Sequence, residues 1–155
     1  MESSSLCLVD AMVLIDGVKY GFLEPLLAGH RTGVARAALL EVQYYKDESR
    51  AKHAIDLSSY TAAGTLTVCS ATVDEVAELL PRLSRKAFGK GEIESLALSL
   101  GREHPFCTCD RRVVKEMKNL GIPERWVPLE ELLSTSNPPR PVPEAKYSRA
   151  AAEPK

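Results

Sequence analysis

Short apolar runs recur along this chain between segments of helical periodicity, and that alternation constrains the fold more than any other feature. Leu6-Cys7-Leu8-Val9, Gly33-Val34-Ala35, Leu66-Thr67-Val68-Cys69 and Phe106-Cys107-Thr108-Cys109 read as strands. Strands that alternate with amphipathic helices are the signature of βαβ units. The expectation is an α/β fold built around a parallel sheet.

The intervening segments carry the helical pattern. Residues 11–27 read as helical, with breaks at Gly17, Gly21 and Pro25. Arg36 to Lys46 reads as a helix that sets Leu39, Leu40, Val42 and Tyr44 around Glu41. The stretch from Asp47 to Gly64 is polar and mixed, with helix expected around Ala54 to Tyr60. Thr72-Val73-Asp74-Glu75 is a capping box. It opens a helix with Val73, Val76, Leu79, Leu80 and Leu83 on one face and a kink at Pro81. Phe88-Gly89-Lys90-Gly91 reads as a flexible loop before a helix from Glu92 to Arg102, whose Ile93, Leu96, Ala97 and Leu100 face inward. Arg111 to Leu120 is a further helix, stopped by Gly121. Trp126-Val127-Pro128-Leu129 resembles an edge strand, because proline disfavours a central one. After Ser136 the chain turns proline-rich. One domain over 1–135 and an extended or disordered tail over 136–155 are expected.

Bulk properties remove several classes. The 155 residues suffice for one domain with a real core, and no apolar run approaches a membrane span. The N-terminus lacks the basic start and apolar core of a signal peptide, so a cytoplasmic protein with no membrane partner is expected. A net charge of -1 leaves nucleic-acid binding to local patches. Cys7, Cys69, Cys107 and Cys109 have no zinc-ligand spacing and read as reduced core residues. His30, His53 and His104 are isolated in polar surroundings and read as surface residues.

Acidic residues carry the chemistry. Asp10 and Asp110 end apolar strands, while Glu41 and Glu94 interrupt apolar helical patterns. A carboxylate beside a core is usually paired, protonated or bound to a cation. In open parallel sheets, ligands bind beyond the carboxyl ends of the strands, where Asp10 and Asp110 lie. An all-oxygen donor set favours Mg²⁺ or Mn²⁺. Each aspartate also has a plainer role as a helix N-cap. Glu92 is a possible ligand too, near a helix start where the macrodipole alone stabilises an acid. Glu92 and Glu94 lie on opposite flanks of their helix, and periodicity does not choose between them.

In order along the chain, Leu8-Val9-Asp10-Ala11-Met12-Val13-Leu14-Ile15, Leu39-Leu40-Glu41-Val42, Gly91-Glu92-Ile93-Glu94-Ser95-Leu96-Ala97-Leu98 and Cys107-Thr108-Cys109-Asp110-Arg111 resemble the PIN-domain family over residues 6–130. The resemblance implies a three-layer α/β/α fold with a central parallel sheet of about five strands. It also implies an Mg²⁺- or Mn²⁺-dependent endoribonuclease, of the kind found in prokaryotic VapC-like toxin–antitoxin pairs. On that register Asp10, Glu41, Glu94 and Asp110 match the family's four catalytic, metal-binding acids, and Thr108 matches a supporting polar residue. RNA as substrate, an antitoxin protein and a homodimer are the partners implied.

Two positions depart from the family pattern. Ala11 and Met12 stand where small polar residues usually follow the first acid, and Glu94 stands where Asp is more usual. Arg82, Arg85, Lys86 and Lys90, with Arg111 and Arg112 directly after Asp110, supply cations for phosphate contact. Of these, Lys90, Arg111 and Arg112, together with Thr108, are the substrate-binding candidates. Tyr44, Tyr45 and Trp126 have the option of stacking on bases, although packing accounts for them equally simply. The alternative function is a catalytically weakened PIN-like module that acts through protein or RNA contacts.

Overall fold

A computed structural model describes residues 6–84 and 87–135. The sheet comprises β1 (Cys7–Val9), β2 (Thr32–Ala35), β5 (Leu66–Cys69), β6 (Phe106–Cys107) and β7 (Trp126–Val127), in the order β5-β2-β1-β6-β7. Every pairing within it is parallel. Leu8 sits between Gly33 on one side and Phe106 on the other, so β1 is the centre of the register. Helices flank the sheet in a three-layer α/β/α fold. The expected strands are all present, and β7 lies at an edge as its proline requires. The expected tail over 136–155 lies outside the described residues, as do Arg85 and Lys86.

The chain order places the site. From β1 the chain moves outward through β2 to β5, then crosses back to β6 and continues to β7 on the opposite side. The direction of winding therefore reverses between β1 and β6, which opens a crevice at their carboxyl ends. Asp10 follows β1 directly, and Asp110 lies just beyond β6.

The helices follow from local rules with three corrections. The first segment divides into α1 (Ala11–Tyr20) and α2 (Leu23–Gly29), broken only at Gly21. Gly21 takes φ 80°, a left-handed conformation that glycine tolerates without penalty. Gly17 and Pro25 remain within helices. The helix expected from Arg36 to Lys46 is the largest correction. It runs only over α3 (Arg36–Leu39), and Glu41 lies in the turn that follows rather than inside an apolar helical face. The chain then enters an antiparallel hairpin of β3 (Tyr44–Lys46) and β4 (Lys52–Ala54). The Asp47 carboxylate closes its turn, accepting from Ser49 N at 2.9 Å and Ala51 N at 3.0 Å, and Arg50 adopts φ 70°. Side chain-to-backbone bonds of this kind hold a turn that hydropathy does not reveal.

After α4 (Ser58–Ala63), α5 (Val73–Leu79) opens on the expected capping box, with Glu75 N donating to Thr72 Oγ1 and Thr72 N to Glu75 Oε1. Only part of its expected face is buried: Leu79 is, whereas Val73 is 85% exposed and Leu80 begins a 3-10 turn over Leu80–Arg82. The expected flexible loop at Phe88–Gly91 is also corrected. Phe88 is buried, and α6 (Lys90–Arg102) already includes Gly91. There is no room for a side chain at Gly91. A Cβ would lie 2.8 Å from the Ala38 backbone, which is how closely α6 approaches α3.

The remaining helices are α7 (Arg111–Asn119), ended at Gly121 as expected, and α8 (Leu129–Ser134). Leu8, Val9, Val34, Phe106, Leu96, Leu98 and Met117 are among the fully buried side chains that join sheet and helices. Burial of side chains of this size contributes about 1.5–3 kcal/mol each. Cys7, Cys69 and Cys107 are buried and free, and burial pushes the Cys7 thiol up to about 12, so it is an inert hydrophobe. Among the described residues no helix is long and apolar enough to cross a membrane.

Candidate functional site

Two helices begin at the switch point, each capped by an aspartate. Asp10 is the N-cap of α1, its Oδ1 accepting from Val13 N at 2.9 Å. Asp110 is the N-cap of α7, accepting from Arg112 N at 2.9 Å. Capping and proximity to the site are thus properties of the same residues. The helix starts turn their positive ends toward these acids.

Thr108 ties the two loops together. Its hydroxyl donates to Asp10 Oδ2 at 2.5 Å and accepts from Asp110 N at 3.1 Å. It is fully buried, and the buried Trp126 indole donates to its carbonyl at 3.0 Å. Thr108 therefore positions carboxylates rather than facing a substrate, and Trp126 packs rather than stacking on a base.

The third carboxylate is Glu92, on the first turn of α6. Its Oε1 accepts from Gly89 N at 2.9 Å, while Oε2 faces the Arg112 guanidinium at 3.4 Å. Arg112 Nη2 also donates to Asp110 Oδ2 at 3.1 Å. Arg112 thus bridges Glu92 and Asp110. A small cleft of about 220 Å³ lies alongside, lined by Asp10, Ala11, Met12, Ala38, Glu41, Gly89, Gly91 and Glu92.

The acids perturb one another. Burial, with smaller contributions from the charges of Asp110 and Glu92, raises Asp10 from 3.8 to about 6, against the lowering effect of its bonds to Thr108 and Val13. Burial and the neighbouring Asp110 also push Glu92 up. Asp110 goes the other way. Burial opposes its ionisation, but hydrogen bonds from Arg112 outweigh that effect and hold it below the usual carboxylate range.

Glu94 is placed elsewhere. Its Oε1 accepts from Ala37 N at 2.8 Å and its Oε2 from Ala71 N at 2.9 Å. One oxygen thus satisfies the start of α3 and the other the loop after β5, fastening α6 across both. Glu94 does not line the cleft. The structure brings Asp10, Glu92 and Asp110 together, sets Glu41 across the cleft, and leaves Glu94 out.

Chain direction carried a signal for this choice. α6 runs against the strands, so its N-terminus lies at their carboxyl edge. The earlier acid is then about 3 Å nearer that edge at 1.5 Å per residue. The bridging role of Arg112 had no such signal, since it depends on how α7 lies against α6.

Among the candidates for substrate contact, Lys90, Arg111 and Arg112 are exposed around this edge. Tyr44 and Tyr45 lie on the hairpin, where Tyr45 stacks on His53 with ring centroids 4.8 Å apart.

The donor chemistry fits a hard divalent cation such as Mg²⁺ or Mn²⁺. Asp10, Glu41, Glu92 and Asp110 offer only oxygen ligands, and their mutual repulsion is what a cation relieves. Among the described residues, no three acidic, imidazole or thiol groups are close enough to form a ready-made cage. Arg112 supplies the counter-charge instead. A scan of protein-family models and searches of curated proteins and of solved structures find no match to this chain.

Proposed function

We propose that this chain is a metal-dependent endoribonuclease of the PIN type, with Asp10, Glu92 and Asp110 as its central acids and Glu41 facing them across the cleft. One observation carries the reading. Three carboxylates are gathered at the switch point of a parallel sheet, close enough that Asp110 and Glu92 raise the proton affinity of Asp10. A structural protein gains nothing from such crowding. A bound Mg²⁺ or Mn²⁺ would polarise a phosphodiester and activate water for in-line attack. The chain's own residues do the rest. Thr108 fixes the orientation of Asp10, Asp110 stays ionised at neutral pH, and Lys90 and Arg111 offer cations to the phosphate backbone. A small antitoxin protein and a homodimer accompany the toxin version of this reading.

The second reading, a PIN-like module working through contacts, draws on Met12. Its side chain is 54% exposed at the cleft, where a polar residue would assist catalysis. Incubating labelled single-stranded RNA with the protein and Mn²⁺ separates the two. The nuclease reading expects cleavage that needs the metal and disappears in Asp10→Asn. No cleavage, together with a melting temperature indifferent to Mg²⁺ and Mn²⁺, rules it out in favour of the binding module.

A further inference from the structure

Arg112 holds its two carboxylates loosely. Its Nη2 donates to Asp110 Oδ2 at 3.1 Å and to Glu92 Oε2 at 3.4 Å, its Nε reaches Asp110 Oδ1 at 3.4 Å, and its Nη1 reaches the Ala87 carbonyl at 3.4 Å. Tight guanidinium–carboxylate pairs lie at about 2.7–2.9 Å, so most of these contacts are long. The side chain is 47% exposed, and its remaining contact is the Phe88 ring, 5.6 Å away at the centroid. An ion pair this exposed contributes little to stability and is easily exchanged. Yet its charge lies between two acids of the proposed site, where a divalent cation would be drawn to the same oxygens.

We propose that Arg112 is a stand-in counter-ion, occupying the cation's place between Glu92 and Asp110 until metal displaces it and frees its guanidinium to hold a phosphate of the RNA. This rests on the nuclease reading above and deepens it. The chemistry suits the exchange. A divalent cation outcompetes a single charge for carboxylate oxygens, and the planar guanidinium fork matches two phosphate oxygens as well as it matches a carboxylate. Because Arg112 lies two residues after Asp110, at the exposed start of α7, it has only to rotate its side chain to leave the acids.

Two binding measurements on the full chain test this, neither depending on turnover. Calorimetric titration with Mn²⁺ should show Arg112→Gln binding the metal about tenfold more tightly than wild type, because a competing positive charge a few ångströms away is gone. Arg112→Lys, which keeps the charge, should stay close to wild type. With Mn²⁺ present, fluorescence anisotropy of a short labelled single-stranded RNA, read before cleavage, should show Arg112→Gln binding several-fold more weakly. Tighter metal together with weaker RNA is the signature. Equal Mn²⁺ affinity in wild type and Arg112→Gln overturns the displacement while leaving the metal site intact. Tighter metal with unchanged RNA binding overturns the transfer to phosphate. If neither protein takes up Mn²⁺, this inference and the nuclease reading both fall.

Discussion

Replacing Asp10 with asparagine should stabilise the protein above neutral pH while abolishing its function. The native state raises this carboxyl from 3.8 to about 6. Below 3.8 the group is protonated in both folded and unfolded chains and contributes nothing. Between 3.8 and 6 the native state retains a proton that the unfolded chain has lost, so stability falls as pH rises. Above 6 the loss levels off. A difference of about 2.2 units corresponds to about 3 kcal/mol. Partial exposure of Asp10 reduces this figure.

Asparagine caps a helix about as well as aspartate, so the bond from Val13 N survives. Its bond with Thr108 becomes neutral and loses about 1 kcal/mol. The net expectation is a gain of about 1–2 kcal/mol at pH 7.5, vanishing near pH 4. Urea unfolding of both proteins at the two pH values measures it. A variant less stable than wild type at pH 7.5, or a difference that does not change with pH, refutes the argument. Saturating Mn²⁺ should close the gap from the other side by stabilising wild type alone.

Glu94→Gln should cost about 1–3 kcal/mol in urea unfolding, because one amide donor would then face a backbone N–H at Ala37 or Ala71. Its Mn²⁺ affinity should match wild type, and loss of metal binding without loss of stability would return Glu94 to the site. Gly91→Ala should destabilise by about 1–3 kcal/mol, since its Cβ would press on Ala38 and on Glu41 Oε2, 3.0 Å away. Unchanged unfolding would show that α6 and α3 are less closely packed than described.

Much of this molecule was legible along the chain because strand and helix periodicities are local properties. The strand runs, the Thr72 capping box and the stop at Gly121 each depend on a few neighbouring residues, and each appears where expected. The β3–β4 hairpin was not legible. Its strands are three residues each and mostly exposed, so burial stamped no alternation on them. Glu41 was misread with it, since Leu39, Leu40 and Val42 imitate a helical face around a turn.

For the site, the sequence alone determined that Asp10 and Asp110 end strands and cap helices, because chain neighbours decide both. Which glutamate joins them was decided only by packing. Glu92 and Glu94 share a helix and a chemistry, and two residues of helical rotation turn one toward Arg112 and the other toward the amides of Ala37 and Ala71. The rotation of α6 about its axis is set by where Gly91 lets it meet Ala38, a contact between residues 53 positions apart. Local periodicity places a carboxylate on a helix, but only the neighbouring elements decide whether it meets a backbone amide or another charge.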